Sequence, residues 1–255
     1  MTSWDALTRE CDAWSAAGWQ ATWWWRDDDT IEPTKALETL IALAPDAVAL
    51  AVIPSRMRPE LAGFMRQHPG VSVLQHGFVH VNHARADERK SEFPGSRNPQ
   101  AAWTELGEGS RLLTAAFGSQ ALPVLTPPWN RAGDAVLAGL RGLGFTGLTR
   151  YLPRRTAQIH GLKQVNTHVD VINWKGGRGF VGESEALTLF VGHLAARRAG
   201  KADADEPTGL LTHHLVHDPA TWRFLEKLRD FLKKQPAARL LDPAAVFETG
   251  TLPVH

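Results

Sequence analysis

The chain has 255 residues, of which 43% are hydrophobic and 22% charged, and its 28 Lys and Arg balance 27 Asp and Glu. This composition excludes a disordered or fibrous protein, and a net charge of +1 without a basic run argues against nucleic acid or a membrane as partner. The single cysteine, Cys11, cannot form an internal disulfide, so nothing in the sequence requires an oxidising compartment.

The first predicted element is an amphipathic helix that Ser3 can cap and Gly18 can end. Its apolar stripe consists of Trp4, Leu7, Cys11 and Trp14. We therefore expect Cys11 to pack in the core rather than to react. Because this segment is acidic and lacks the apolar run of a signal peptide, we expect a cytoplasmic protein.

Short apolar segments alternate with helical patterns along the rest of the chain. The seven predicted strands cover residues 21–26, 47–53, 71–75, 123–126, 145–149, 165–174 and 209–214. The helices between them are predicted over residues 34–43, 59–67, 103–117, 132–142 and 184–198. This alternation predicts an α/β protein with a parallel sheet. We expect one domain over residues 1–255, a (β/α) barrel of eight strands or fewer, with an open doubly wound sheet as the alternative.

Three consecutive carboxylates, Asp27, Asp28 and Asp29, follow the first predicted strand. Their mutual repulsion must be offset by a cation, an arginine or protonation, and a metal ion is the simplest solution. A polar loop with a helix-capping aspartate is the alternative. Since side chains alternate along a strand, Asp28 and Asp29 can serve one site only if the strand ends or bends there; Asp27 with Asp29 is the other possible pair.

His76 and His80 are four residues apart, just after the third predicted strand. On a helical turn this spacing places both imidazoles on one face, as in two-histidine metal sites. His83 extends the same face as a third ligand or, as we favour, as its exposed end. Two histidines and one carboxylate leave a coordination position for water, which is typical of a catalytic site.

A second group of polar residues lies at the ends of the last two predicted strands. His213 and His214 are adjacent, so at most one of them faces the interior of a barrel, and Asp170 could orient that histidine. Trp129 and Trp174 lie at strand ends, where they could form an apolar wall or a sugar platform. We expect four residues to contact the substrate: Arg26, Trp129, Asn130 and Trp174.

Taken in order, these motifs resemble those of the polysaccharide deacetylase (NodB-homology, carbohydrate esterase family 4) superfamily. That family has an Asp-Asp pair after its first strand, a His-x-x-x-His segment, a proline strand end with an aromatic residue, an Asp before a Trp, and a late Leu-x-His. The corresponding residues here are Asp28-Asp29, His76 with His80, Pro127-Pro128-Trp129, Asp170 with Trp174, and Leu211-Thr212-His213.

The resemblance implies a distorted (β/α)7 TIM-like barrel of NodB type and a metal-dependent deacetylase of N-acetylated sugars. It implies that Asp28 is the catalytic base and His213 the general acid, with Asp170 as the partner that tunes it. It also implies that one divalent metal ion is bound by Asp29, His76 and His80. Zinc is the default ion for this set of ligands, and cobalt, nickel or iron would also fit.

The sequence departs from the family pattern at three positions. Thr126 replaces the arginine that normally pairs with the base, and Arg26 could substitute for it. Thr30 replaces the glycine after the second aspartate, so Asp27-Asp28 is an alternative functional pair. Trp129 replaces a tyrosine and cannot accept a hydrogen bond.

The sequence therefore predicts a metal-dependent hydrolase of a carbon–nitrogen amide bond, acting on a carbohydrate or a small N-acyl compound. One alternative is a catalytically silent barrel that binds carbohydrate through Trp129 and Trp174. The other is a metal-dependent phosphoesterase, for which Arg26, Arg131 and Lys175 would bind phosphate.

Overall fold

A computed structural model of the chain describes residues 2–248. Within these residues the α-helices are α1 (Trp4–Ala16), α2 (Lys35–Leu43), α3 (Glu60–Met65), α4 (Pro99–Phe117), α5 (Asp134–Gly139), α6 (Glu183–Arg198), α7 (Pro219–Lys234) and α8 (Pro243–Phe247). The strands are β1 (Ala21–Thr30), β2 (Val48–Val52), β3 (Ser72–His76), β4 (Ala121–Thr126), β5 (Gly147–Leu148), β6 (Gln158–Ile159), β7 (Leu162–Gln164), β8 (Val169–Asp170), β9 (Thr208–Thr212) and β10 (Ala238–Leu240).

The strands form a closed, distorted barrel rather than an open sheet. Going around it, β5, β4, β3, β2, β1, β9 and β8 are neighbours, and β7 pairs with β5 in parallel. The segment that contains β7 and β8 passes from one edge of the sheet to the other, since it pairs with β5 at its start and with β9 at its end. A parallel bridge between Tyr151 and Thr167 joins the edges midway. The alternative of an open doubly wound sheet is therefore wrong.

Apolar side chains fill the interior of the barrel beneath the polar residues at the end of β1. Trp24 on β1 lies fully buried in a cluster with small residues of β2, including Ala49 and Ala51. Phe247 of α8 packs edge-on against Trp24, with ring centroids 5.5 Å apart. Because β1 side chains alternate, Arg26 and Asp28 lie on the same face as Trp24, above this apolar floor. The polar residues of β1 therefore lie at the end of the barrel where the carboxyl ends of the strands meet.

Helix α1 packs on the outside of the barrel, as its apolar stripe predicts. Ser3 caps its first turn, and Leu7, Cys11 and Trp14 are buried in the main core. Burial, with the nearby charges of Asp12 and Glu10, raises the pKa of the Cys11 thiol to about 12. The prediction that Cys11 is a packed residue is confirmed.

Several elements were not predicted from the sequence. Helix α7 begins after Asp218, whose side chain accepts a hydrogen bond from the Thr221 amide at 2.7 Å, and Pro219 occupies its first turn. Strand β10 pairs with the start of β1, and α8 follows it. Among the described residues, no helix is both long and apolar enough to cross a membrane.

Candidate metal centre and active site

Strand β1 contains a bulge at its end, which solves the problem of its three consecutive carboxylates. The pairing of β1 with β2 shifts register between Asp27 and Thr30. Within the bulge, Asp29 has a left-handed backbone, with φ at +71°. Simple alternation would send Asp28 and Asp29 to opposite faces, but the bulge turns Asp29 toward the site that Asp28 also faces.

Asp29 lies against two histidines at the carboxyl end of β3. Its Oδ1 is 3.1 Å from Nε2 of His76 and 3.4 Å from Nε2 of His80. These ligand atoms lie close enough together to bind a single metal ion. His83, the further histidine considered above, does not belong to this group, and its backbone amide donates to the Ser91 carbonyl.

The tautomer of His76 indicates that a cation belongs at this position. Its Nδ1 lies 3.0 Å from the carbonyl oxygen of Thr126, which can only accept, so Nδ1 carries a hydrogen. In the neutral ring Nε2 then carries a lone pair that faces Asp29 Oδ1, and only the protonated ring can donate a hydrogen bond to that oxygen. Two acceptors at this distance require a proton or a metal ion between them, and the Thr126 carbonyl is the usual outer partner of a ligating histidine.

The pKa shifts of Asp29 and His76 also indicate that a positive charge is favoured at this position. Burial opposes ionisation of Asp29, yet the hydrogen bond and charge of His76 bring the pKa of its carboxyl well below the ordinary value. Burial likewise opposes protonation of His76, but Asp28 and Asp29 outweigh it and raise its pKa. The carboxylates therefore favour a positive charge at the position of the imidazole nitrogens.

The segment that carries the two histidines is not the helical turn predicted from their spacing. His76 ends β3, and the backbone after it bends through two left-handed residues, Gly77 with φ +60° and His80 with φ +59°. The rings of His76 and His80 lie 5.0 Å apart between centroids. The two imidazoles thus converge through a tight loop rather than through helical periodicity.

Arg26 supports Asp28 from behind. Its Nε lies 2.8 Å from Oδ1 of Asp28, and its Nη2 donates to Oδ2 at 3.0 Å. The remaining donors bind Thr149 Oγ1, the Arg150 carbonyl and Asn130 Oδ1. Arg26 is completely buried. This corrects its prediction as a substrate contact, because every donor of the guanidinium is engaged within the protein.

His213 lies on the other side of Asp28. Its Nε2 is 4.0 Å from Asp28 Oδ2, and the indole of Trp174 packs edge-on against it at 4.6 Å between centroids. Asp170 does not hydrogen-bond to His213 in this arrangement. Its two oxygens accept the Ile172 amide and the Trp174 indole N–H, and burial raises the pKa of its carboxyl. Asp170 thus places Trp174 over His213 and acts on that imidazole only through its charge.

Asp27 and His214 form a separate pair, which the sequence analysis did not foresee. Both side chains are buried, and Asp27 Oδ1 bonds to Nδ1 of His214. Asp27 Oδ2 accepts the Thr212 hydroxyl at 2.6 Å and the His214 amide at 3.0 Å. Asp27 therefore forms hydrogen bonds with Thr212 and His214, the two neighbours of His213 in the chain. Asp27 and His214 are thus paired with each other, whereas Asp28 lies 4.0 Å from His213.

Two aromatic residues border the site. The indole of Trp129 lies 4.6 Å from the ring of His80, and Trp174 covers His213 on the other side. Trp129 and Asn130 both have left-handed backbones, and the Asn130 side chain is held by Arg26. Trp129 and Trp174 thus lie beside His80 and His213, and the side-chain oxygen of Asn130 already accepts a hydrogen bond from Arg26.

A second cluster of potential ligands lies at the amino ends of β8 and β9, and its hydrogen bonding is different. His168, His193 and Glu206 are all buried and close together. The amide of Gly209 donates to Nδ1 of His168, so its Nε2 carries the hydrogen and cannot ligate an ion. The two imidazoles are also stacked, 3.5 Å apart at 15°, whereas ligands of one ion diverge from it. We interpret this cluster as structural.

Comparison with known proteins supports the fold. No protein-family model matches the sequence, and no curated protein does. A Mycobacterium smegmatis protein assigned to the polysaccharide deacetylases has a TM-score of 0.62 at 13% identity, covering 90% of this chain and 89% of that one. The Bc1960 peptidoglycan N-acetylglucosamine deacetylase has a TM-score of 0.55 at 15% identity, with 94% and 97% covered.

A family 4 acetyl xylan esterase from Clostridium thermocellum, solved with a cobalt ion, has a TM-score of 0.54 at 12% identity, with 89% and 90% covered. The chain is thus a divergent structural match to the carbohydrate esterase family 4 (NodB) deacetylases, which confirms the resemblance seen in the sequence and the distorted barrel that it implied. At these identities the match establishes the fold, and substrate and activity require arguments from the site itself.

Proposed function

We propose that the protein is a metal-dependent hydrolase that removes the acyl group from an N-acetylated sugar or a similar small N-acyl compound. The observation that carries this proposal is the convergence of Asp29, His76 and His80, with Asp28 and His213 beside this group and 4.0 Å from each other. An ion-binding group next to one candidate base and one candidate acid is what amide hydrolysis needs.

Each residue of the site has a defined role in this proposal. Asp29, His76 and His80 hold the ion, with zinc as the first candidate and cobalt as the ion seen in a structural relative. When bound, a divalent ion supplies Lewis acidity toward the amide carbonyl and lowers the pKa of water. Asp28 accepts the proton of the attacking water, and Arg26 orients its carboxylate. His213 donates a proton to the departing amine, and Asp170 holds the Trp174 indole against this imidazole.

The surroundings of the site favour an acyl substrate over a phosphate ester. Of the three basic residues that would bind phosphate, Arg26 is buried against Asp28, and Arg131 donates to the backbone carbonyl of Lys90. Trp129 and Trp174 offer apolar faces instead, of the kind that pack against sugar rings. These faces would also serve a silent carbohydrate-binding barrel, which differs from the hydrolase only in turnover.

The test begins with elemental analysis of protein purified without added metal, followed by assay of acetate release from N-acetylated sugars. We expect one divalent ion per chain and release of acetate. His76→Ala and His80→Ala should each lose the ion and the activity while keeping the fold. His193→Asn, in the second cluster, is the matched control and should retain the ion.

Each outcome selects between the candidate functions. Full metal content in His76→Ala or His80→Ala would refute the proposed centre. A metal-loaded protein that binds sugars without releasing an acyl group would be the silent barrel.

A further inference from the structure

The carboxylate of Glu92 lies directly behind the loop that carries the second histidine. Glu92 is fully buried. Its Oε1 accepts the amides of Val79 at 2.7 Å and His80 at 3.1 Å, and its Oε2 accepts the amide of Phe78 at 3.2 Å. Three consecutive backbone N–H groups thus converge on one carboxylate, the arrangement that proteins use to bind anions.

The loop fits this carboxylate so closely that a side chain is excluded. A Cβ atom at Gly77 would lie 2.0 Å from Glu92 Oε2 and 2.7 Å from the ring of Pro128. The left-handed backbone of Gly77 has the same consequence, since other residues rarely adopt it. The glycine next to His76 is therefore required by the close approach of Glu92 and Pro128 and by its own backbone conformation.

Glu92 is held in place independently of the loop that it binds. Arg97 Nη1 donates to the Glu92 carbonyl at 3.0 Å. The neighbouring Ser91 donates through its hydroxyl to the Arg131 carbonyl at 2.9 Å and through its amide to Asn82 Oδ1 at 2.9 Å. The connection between β3 and α4 thus delivers a fixed negative charge to the back of the metal centre.

Among the described residues, no lysine or arginine side chain donates to this carboxylate; its partners are backbone N–H groups. Burial raises the pKa of this carboxyl, and the three backbone N–H groups and the charge of His76 oppose that shift. In its ionised form the carboxylate places an unpaired negative charge next to the metal centre. A cation bound between Asp29 and the two histidines would be attracted by this buried charge from behind the loop. The same carboxylate stabilises the left-handed conformation that turns the His80 imidazole toward Asp29.

We propose that Glu92 is a positioning residue for the metal centre, which fixes His80 in its ligating orientation and raises the affinity of the site for a divalent cation. This inference rests on the proposed function, since it assumes that Asp29, His76 and His80 bind an ion. The inference extends the proposed function to a residue, Glu92, that supports the metal centre through the backbone of residues 78–80 rather than by contacting the ion or the substrate.

The experiment is a titration of the metal-free protein with Co²⁺, followed by its visible absorption, which reports both affinity and ligand geometry. Glu92→Gln retains an oxygen acceptor and removes the charge, whereas Glu92→Ala removes both. We expect Co²⁺ to bind about tenfold more weakly to Glu92→Gln and about a hundredfold more weakly to Glu92→Ala, which is the range for outer partners of metal ligands. The absorption of Glu92→Ala should shift toward that of His80→Ala.

Glu226→Gln is the control, because Glu226 is exposed on α7 and loses the same charge. It should bind Co²⁺ like the wild type. If Glu92→Ala does not fold, as judged by circular dichroism, Glu92→Gln decides the question. Affinity and spectrum within twofold of wild type in the Glu92 variants would overturn the inference alone. A wild-type protein that binds no Co²⁺ would overturn both this inference and the proposed function.

Discussion

At the scale of single residues, the most informative contact is the ion pair between Arg26 and Asp28. The two residues are separated by one position on the same strand, so alternation alone places them on one face. In the family that the fold matches, we expected this arginine on the fourth strand, where the chain has Thr126. Arg26 gives the buried Asp28 carboxylate a fully buried counter-charge, and Thr149 and Asn130 hold the guanidinium in place.

Asp28→Asn tests the role of Asp28 as the base. The amide keeps the size of the side chain but cannot accept the proton of water, so turnover should fall by a factor of about 10² to 10⁴. The metal content should not change, because Asn at this position leaves Asp29, His76 and His80 intact. Acetate release and elemental analysis measure the two effects. Undiminished turnover would show that Asp28 is not the base.

Asp27→Asn should give the opposite result. Asp27 is buried and bonds to Thr212 and to His214, so the loss of its charge leaves these donors poorly matched. We expect the free energy of unfolding to fall by about 3 kcal/mol, as for other broken buried pairs, with the metal ion retained. Urea unfolding measures the change. Unaltered stability together with abolished turnover would instead identify Asp27 as the base.

At the scale of elements, the burial of α1 makes a chemical prediction. The pKa of the Cys11 thiol is about 12, so its reactive thiolate is scarce at neutral pH, and the helix shields the sulfur. Iodoacetamide at pH 8 should leave native protein unmodified and should alkylate Cys11 in urea. Mass spectrometry checks this, and rapid modification of native protein would show that α1 does not pack as described.

The elements also show how far sequence reasoning extends. Hydrophobic patterns located the strands that carry the site, and motif order located Asp29, His76 and His80. The bulge at Asp29 could not be predicted, because it arises from a register shift between β1 and β2. The same holds for Glu92, which is 12 residues from His80 along the chain and reaches it only through the tertiary fold. The start of helix α7 does carry a local sequence signal, a capping aspartate, Asp218, followed by Pro219.

At the scale of the whole molecule, the two ends of the barrel use buried charge differently. The carboxyl ends of the strands hold the candidate metal centre, whereas the amino ends hold His168, His193 and Glu206 in a closed cluster. In barrels, residues at the amino-terminal end typically serve stability, whereas catalytic residues lie at the carboxyl-terminal end. Burial raises the pKa of the Glu206 carboxyl from 4.5 to about 7, although the amides of Arg154 and Asn166 oppose the shift.

This shift predicts a dependence of stability on pH. The unfolded chain loses the Glu206 proton near pH 4.5, whereas the folded chain keeps it to about pH 7. The contribution to stability is therefore complete below about pH 4.5 and is lost as pH rises to about 7. Urea unfolding at pH 5 and pH 8 should show a larger loss of stability for wild type than for Glu206→Gln. Equal losses in the two proteins would contradict this assignment.

The way in which the barrel closes has one further consequence. Only short pairings and the bridge between Tyr151 and Thr167 connect β5 to the segment that leads into β8. The ladders that join β1 to β2 and to β9 are longer. Amide hydrogens along this seam should exchange with deuterium sooner than those of β1, since local opening there breaks the fewest bonds. The barrel therefore has a weakly paired boundary between β5 and the segment that leads into β8, the strand that carries Asp170.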